Sequence, residues 1–280
     1  MSDIPVLKRL DGLGFAEALR WHNGELWFSD MFRGRVMSWN PDADATVRLS
    51  HSQGGPEMPG GIGWAANGDL LVVDCLRRLV LRLDGSANLS VHADLSALTS
   101  YPLNDMHVEA DGTAWVGGYG FNPDTEPAAD SVLYRISPAG DVTLSSSKFV
   151  FPNGCERRAD SFAVAETFAD RISFIDDNGE RVSSFDCEPG SGPDGLSFGP
   201  EAKLFVAMAF AGRIDSFTVD GEREVFFTLD ASDNFAGQAM GIFDCAVRPD
   251  LKAIAFSSAC LDEAFANLND TGSITLLSLD

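Results

Sequence analysis

Residues 195–217 read GLSFGPEAKLFVAMAFAGRIDSF. A short apolar run is followed by a polar turn at Gly199–Lys203 and a second run of large apolar residues from Leu204 to Met208. After Gly212 a third run begins at Arg213. Runs of this length, rich in aromatic and aliphatic residues and bounded by Gly, Pro and charged residues, predict strands joined by tight antiparallel turns. Directly ahead stand Pro193 and Asp194. A carboxylate at the entrance to a buried strand is costly unless something positive meets it.

The same unit recurs along the chain. ALRWHNGELWFSDMFRGRVMSW begins at Ala18, GIGWAANGDLLVVDCLRRLVLRL at Gly61, and DMHVEADGTAWVGG at Asp105, continuing to SVLYRI. GCERRADSFAVAETFADRISFID begins at Gly154, and CAVRPDLKAIAFSS at Cys245 leads to GSITLLSL, the most divergent copy. The turns between first and second strands fall near residues 24, 68, 112, 160, 202 and 251, at intervals of 44, 44, 48, 42 and 49. A period of about 40–50 residues with four short strands per unit predicts β-propeller blades. Fourth strands are offered by TVRLS, LSVHADL and REVFFTL. The sixth unit has none at its C-terminal end, and the N-terminal PVLKRL supplies it, closing the ring and removing an exposed edge. The expectation is an all-β, six-bladed β-propeller of four antiparallel strands per blade, with residues 1–280 forming one domain. Two β-sandwiches would also give many short strands but would leave six evenly spaced turns unexplained.

Twenty basic against 42 acidic residues give a formal charge of −22 without a long acidic block. Such a surface favours solubility and disfavours nucleic acid and anionic membranes as partners. The cysteines, Cys75, Cys155, Cys187, Cys245 and Cys260, are scattered and form no CxxC pair, so they read as reduced, buried thiols. The start, MSDIPVLKRLDGLG, lacks the apolar core of a signal peptide, and no apolar run approaches the roughly 18 residues that span a bilayer. A cytoplasmic location is expected; the sequence leaves the oligomeric state open.

In a propeller the first strand of each blade lines the central channel, so equivalent positions of different blades converge at one mouth. Counting back nine or ten positions from the second strands reaches Glu17, Gly60, Asn104, Asn153, Asp194 and Asp244. Five of the six carry a side-chain oxygen, where packing alone would favour small or apolar residues. Glu17, Asn104, Asn153 and Asp194 form an all-oxygen set suited to a hard divalent cation, with Ca²⁺ first. Mg²⁺, Mn²⁺, Zn²⁺ and Fe²⁺ are alternatives. Taken singly, each of these residues would also serve to cap a strand or fix a turn. His22 and His107, just inside first strands, read as packed residues. GLSFG at 195–199 spells G-x-S-x-G but lies in a predicted strand leading to a strand–strand turn, not at a strand-to-helix elbow, and no phosphate-binding loop in strand–helix context is present.

RWHNGELWFSDMFRGRV, PGGIGWAANGDLLVV, NDMHVEADGTAWVGGYGF, FPNGCERRADSFAVAETFADRISFID and PDGLSFGPEAKLFVA resemble the SMP-30/gluconolactonase/luciferin-regenerating enzyme family over nearly the whole length. The resemblance implies a divalent metal held by Glu17, by Asn153 of P-N-G and by Asp194 of P-D-G. It places Asn104 beside the metal, as a further ligand or a substrate contact. The implied activity is metal-dependent hydrolysis of a small lactone, with Asp194 or a metal-bound hydroxide as the base. Two departures stand out. Ala18 and Leu19 replace the family's usual Gly-Pro after the Glu, and Pro102 stands where sugar-acid lactonases often carry Arg. Tyr101, Leu103, Tyr119 and Phe121 then suggest a less polar pocket. Tyr101, Tyr119 and Asp244 join Asn104 as expected substrate contacts, although Asp105 and Asp244 would equally lock the channel wall. An organophosphate, phosphotriester or aryl-ester hydrolase on the same metal site, and a non-enzymatic binding propeller, are the alternatives.

Overall fold

A computed structural model describes residues 4–218, 220–230 and 234–279. Each unit found in the sequence is a four-stranded antiparallel sheet, and six such sheets form a six-bladed β-propeller. The first blade runs Ala16–His22, Glu25–Asp30, Arg35–Trp39 and Thr46–Ser50 from the axis outward. The inner strands of blades two to five are Pro59–Trp64, Leu103–Val108, Pro152–Arg158 and Pro193–Phe198. The sixth blade combines Met240–Val247, Ala253–Cys260 and Gly272–Ser278 with the N-terminal strand Val6–Leu13 on its outside. The ring is closed as the sequence suggested, by antiparallel pairing of Val6 with Leu277 and Arg9 with Thr275. The third blade is interrupted after Ala114–Gly118, where Asp130–Ser131 pairs with Phe149–Val150 as a small separate ribbon.

A propeller has no single central core, because large apolar residues of the second and third strands pack between neighbouring blades. Val73 and Val80 of blade two meet Val116 and Ile136 of blade three. Phe205 and Ile214 of blade five meet Ile254 and Phe256 of blade six. Burying each such side chain contributes about 1.5–3 kcal/mol. All five cysteines are buried and unpaired.

At the axis the inner strands touch one another directly. Gly154 shows why small residues recur there: a Cβ on it would fall 2.5 Å from the Asp194 carbonyl oxygen. Every inner strand also carries a bulge against its second strand, between Glu17 and Arg20, Pro59 and Ile62, Leu103 and Met106, Pro152 and Cys155, Pro193 and Leu196, and Ile242 and Asp244. The extra residue re-aims the side chains beyond it. In blade one it sends Arg20 across the channel. Its guanidinium donates to both Asp105 oxygens at 2.7 and 2.9 Å and to the Met106 carbonyl at 3.0 Å. It also lies 3.6 Å from Asp244. Asp244, 1% exposed, accepts from Leu19 N–H at 2.5 Å and Cys245 N–H at 2.7 Å. Asp105 and Asp244 therefore lock the channel wall, the second of the two roles left open for them.

Arg20→Met would leave two buried carboxylates without their cation, and a cost of about 3–5 kcal/mol is expected in urea unfolding. Leu251 heads the last first-to-second-strand turn at φ +60° and is exposed. Leu251→Gly should raise the unfolding free energy by about 0.5–1 kcal/mol, since relief of left-handed strain exceeds the added chain entropy.

Candidate metal and substrate site

The strand register aligns Glu17, Gly60, Asn104, Asn153 and Asp194, each following the residue paired near the end of a second strand. In blade six that place belongs to Phe243, the unpaired residue between Ile242 and Asp244. Asp244 is one step further along, level with Asp105 and Gly195. The sequence count misplaced it because the turn between paired Val247 and Ile254 is one residue longer than its counterpart between Phe198 and Leu204.

Acids hold the backbone that leads into these positions, Asp30 and Glu166 buried and Asp170 half-buried. Asp30 accepts the N–H groups of Gly14 and Phe15 at 3.0 and 3.1 Å, just before Glu17, and is paired with Arg35. Glu166 accepts Val150 N–H at 2.8 Å, just before Asn153, and is held by Arg171, Arg181 and Ser173. Asp170 accepts Gly190 and Gly192 N–H at 2.7 and 2.9 Å, just before Asp194. Hydrogen bonds to ionised acceptors are strong and directional, so the entrance to each inner strand is set firmly.

The slots meet at one mouth. The Asn153 amide donates to Thr167 Oγ1 at 3.2 Å and lies beside the Asp194 carboxyl, which it pulls down against the larger upward effects. Asp194 is 6% exposed, and its Oδ1 has no hydrogen-bond partner; neither does Asn104 Nδ2. Burial pushes the Glu17 carboxyl well up, and Asp194 beside it pushes further. Asp194 is likewise pushed well up, first by burial and then by Asp244, Asp105 and Glu263. Burial pushes Asp244 up to about 7, with Arg20 acting against it. Crowded acids with an orphaned carboxylate oxygen fit a hard cation, which would satisfy the lone pairs and relieve the repulsion. Among the described residues no three His, Cys, Asp or Glu side chains are grouped as a metal site. The set here differs in kind, being two carboxylates with two amides.

Other expected contacts are placed differently. Tyr119 lies within the field of Glu17, Asp194 and Glu263, whereas Tyr101 turns to Glu126. Leu103 sits in the interblade core with Met31 and Cys75 rather than in a pocket, and Phe121 is buried against Phe151 and Phe168. Ala18 adopts φ +53°, a conformation suited to glycine, and Leu19 supplies the N–H bound by Asp244 that a proline would lack. Sequence reasoning missed Arg20 and Glu263. Glu263 opens the helix Glu263–Asn269, which follows the sixth blade's second strand, and its charge reaches the mouth from outside the repeat.

A cavity of about 630 Å³ lies at the opposite mouth and includes none of the aligned oxygen-bearing residues. Its lining includes Arg20, His22, Trp64, His107 and Glu156. There His22 stacks on Trp64 at 3.8 Å, and the Glu156 carboxylate accepts Phe198 N–H at 2.7 Å. Burial, with Arg20 and Arg157 nearby, lowers His107 to about 3, although Glu109 is 3.9 Å away. Below about pH 6.5 the unfolded chain binds a proton that folded His107 refuses, so this residue erodes stability as pH falls towards 3. His107→Gln should give a shallower loss over that window, by up to about 1.4 kcal/mol per pH unit, in denaturant titrations.

Residues 15–237 match the family model described as the SMP-30/Gluconolactonase/LRE-like region. No curated protein matches the chain. Among solved structures, the calcium-binding protein regucalcin from Agrobacterium tumefaciens is 17% identical, covering 98% of this chain and 95% of its own at TM-score 0.73. A gluconolactonase from Xanthomonas campestris is 17% identical, covering 96% and 89% at TM-score 0.70. Virginiamycin B lyase from Staphylococcus aureus is 13% identical, covering 98% and 99% at TM-score 0.67. At these identities the structures share the fold alone; the family model, spanning most of the chain from Phe15 through the first five blades, goes further, and the protein belongs to the SMP-30/gluconolactonase/LRE-like family.

Proposed function

We propose that the protein is a metal-dependent lactonase whose cation is held by Glu17, Asn153 and Asp194, with Ca²⁺ as the first choice. The observation that carries this reading is the buried, partnerless Asp194 Oδ1 among acids that crowd one channel mouth. When bound, the cation would supply Lewis-acid polarisation of the ester carbonyl. Asn153 uses its amide nitrogen on Thr167, leaving the amide oxygen as the ligand atom. Asn104 Nδ2, buried without a partner, is a donor for the carbonyl oxygen as negative charge develops there. Asp194 takes a proton from the attacking water. The new C–OH bond replaces the ring C–O bond, and the proton passes to the departing alkoxide to give a hydroxy acid. Tyr119 borders this mouth as a substrate contact; Asp244 is left to the channel wall.

The test is elemental analysis of purified protein together with a screen of five- and six-membered lactones, before and after chelation. One bound divalent ion and chelator-sensitive hydrolysis are expected, with Glu17→Gln and Asp194→Asn each lowering kcat/KM about 100-fold or more. Unchanged hydrolysis after metal removal, or in both variants, would overturn the proposal. Preferential turnover of phosphotriesters would redirect it to that substrate class, and a metal-free, inert protein would favour a binding propeller.

A further inference from the structure

The turn after the second strand carries a large apolar residue at the same position in four blades. Phe32, Leu76, Phe168 and Phe210 each lie two residues beyond the register-equivalent residues Asp30, Asp74, Glu166 and Met208. Leu76, Phe168 and Phe210 are 43, 38 and 46% exposed. Blade packing does not call for aromatic rings in solvent on an acidic protein, and an exposed apolar patch marks a surface that meets something.

These side chains belong to the mouth that holds Asn153 and Asp194. Phe151, two residues before Asn153, contacts Tyr119 at 4.4 Å and Phe168 at 4.9 Å between ring centres. Phe168 continues to Phe210 at 5.8 Å. The Phe210 ring in turn occupies the space a Cβ on Gly192 would need, two residues before Asp194. A run of rings thus spans blades three to five, beside the two metal-ligand candidates. Phe151 also sits at φ +54°, an unfavourable conformation for an aromatic residue. Backbone strain of this kind persists where the surroundings enforce it and clusters at functional sites.

We infer that the arc formed by Tyr119, Phe151, Phe168 and Phe210 seats an apolar substituent of the substrate, so that the preferred lactones carry an alkyl chain or aryl ring. The inference rests on the lactonase reading for its chemistry, but the seat itself depends only on the arc. With the ester at the aligned oxygen-bearing residues, a substituent extending over Phe151 would cover Phe168 and Phe210 and remove their exposed faces from water. Offset and edge-on ring contacts would favour aryl groups on the same surface.

The experiment uses metal-loaded full-length protein and a series of γ-lactones that differ only in alkyl chain length, with a polyhydroxylated sugar lactone for comparison. The expected result is a rise in kcat/KM of about fourfold per methylene until the arc is covered. The Phe168→Ser/Phe210→Ser double variant, changed at two exposed positions, should flatten that slope, with circular dichroism confirming its fold. Hydrolysis of the sugar lactone with no chain-length dependence, or an equal slope in the double variant, would overturn the seat and leave the lactonase reading standing. If no lactone is hydrolysed, calorimetric binding of the same series separates the two ideas. Affinity that rises with chain length and is lost in the double variant supports the seat while the lactonase reading fails; flat affinity overturns the seat as well.

Discussion

The axis of this propeller depends on one buried guanidinium. A ring of six sheets leaves a tunnel that apolar side chains do not fill, and in this chain Arg20 closes it. Its donors reach Asp105 and the Met106 carbonyl of blade three, and its charge reaches Asp244 of blade six. Blades one, three and six are thereby tied at one level. A buried ion pair is poor evidence for net stability, because desolvation opposes its attraction. Its clearer role is geometric, since only one arrangement of the three inner strands satisfies all the donors and acceptors. The same plug separates the mouth bearing the aligned oxygens from the cavity of about 630 Å³ at the other end.

A second set of acids, two of them buried, acts at the periphery of the channel. Asp30, Glu166 and Asp170 capture backbone N–H groups two to four residues ahead of Glu17, Asn153 and Asp194. The first two are neutralised by arginines at the start of the third strand, Arg35 and Arg171. The candidate site is thereby built on rigid strand entrances rather than loops, which suits the proposed cation site with its residues drawn from three blades. The remaining carboxylates at the mouth are not neutralised in this way. Asp194 raises the proton affinity of Glu17, and Glu263 adds its charge to both. That imbalance beside a well-paired frame separates the candidate site from the structural acids.

The polar floor and the aromatic rim meet within a few residues. Asn153 is preceded by Phe151, and Asp194 by the Gly192 against which Phe210 packs. Each of these two strand entrances therefore brings a candidate ligand and an apolar surface to the same place. Ala18 and Leu19 show the opposite face of this economy. Positive φ at Ala18 is tolerated because Leu19 N–H is anchored on Asp244.

Much of this was legible in the chain itself. Six strand–turn–strand units at intervals of 42 to 49 residues determine the propeller, because strand period and turn chemistry are local properties. The alignment of Glu17, Asn104, Asn153 and Asp194 also follows from counting, since equivalent strand entrances must converge on the axis. Counting failed at Asp244, because the turn between paired Val247 and Ile254 in blade six is one residue longer than that between Phe198 and Leu204 in blade five, which puts Phe243 in the aligned place. It was silent on Arg20, whose direction is set by the bulge, and on Glu263, which belongs to an inserted helix outside the repeat. Tyr101 and Leu103 looked like neighbours of Asn104 but turn to Glu126 and the interblade core. Sequence alone determined which residues recur at equivalent positions; only the tertiary structure decided which side chains face the channel and pair there, because bulge geometry and contacts between blades are not encoded within any one repeat.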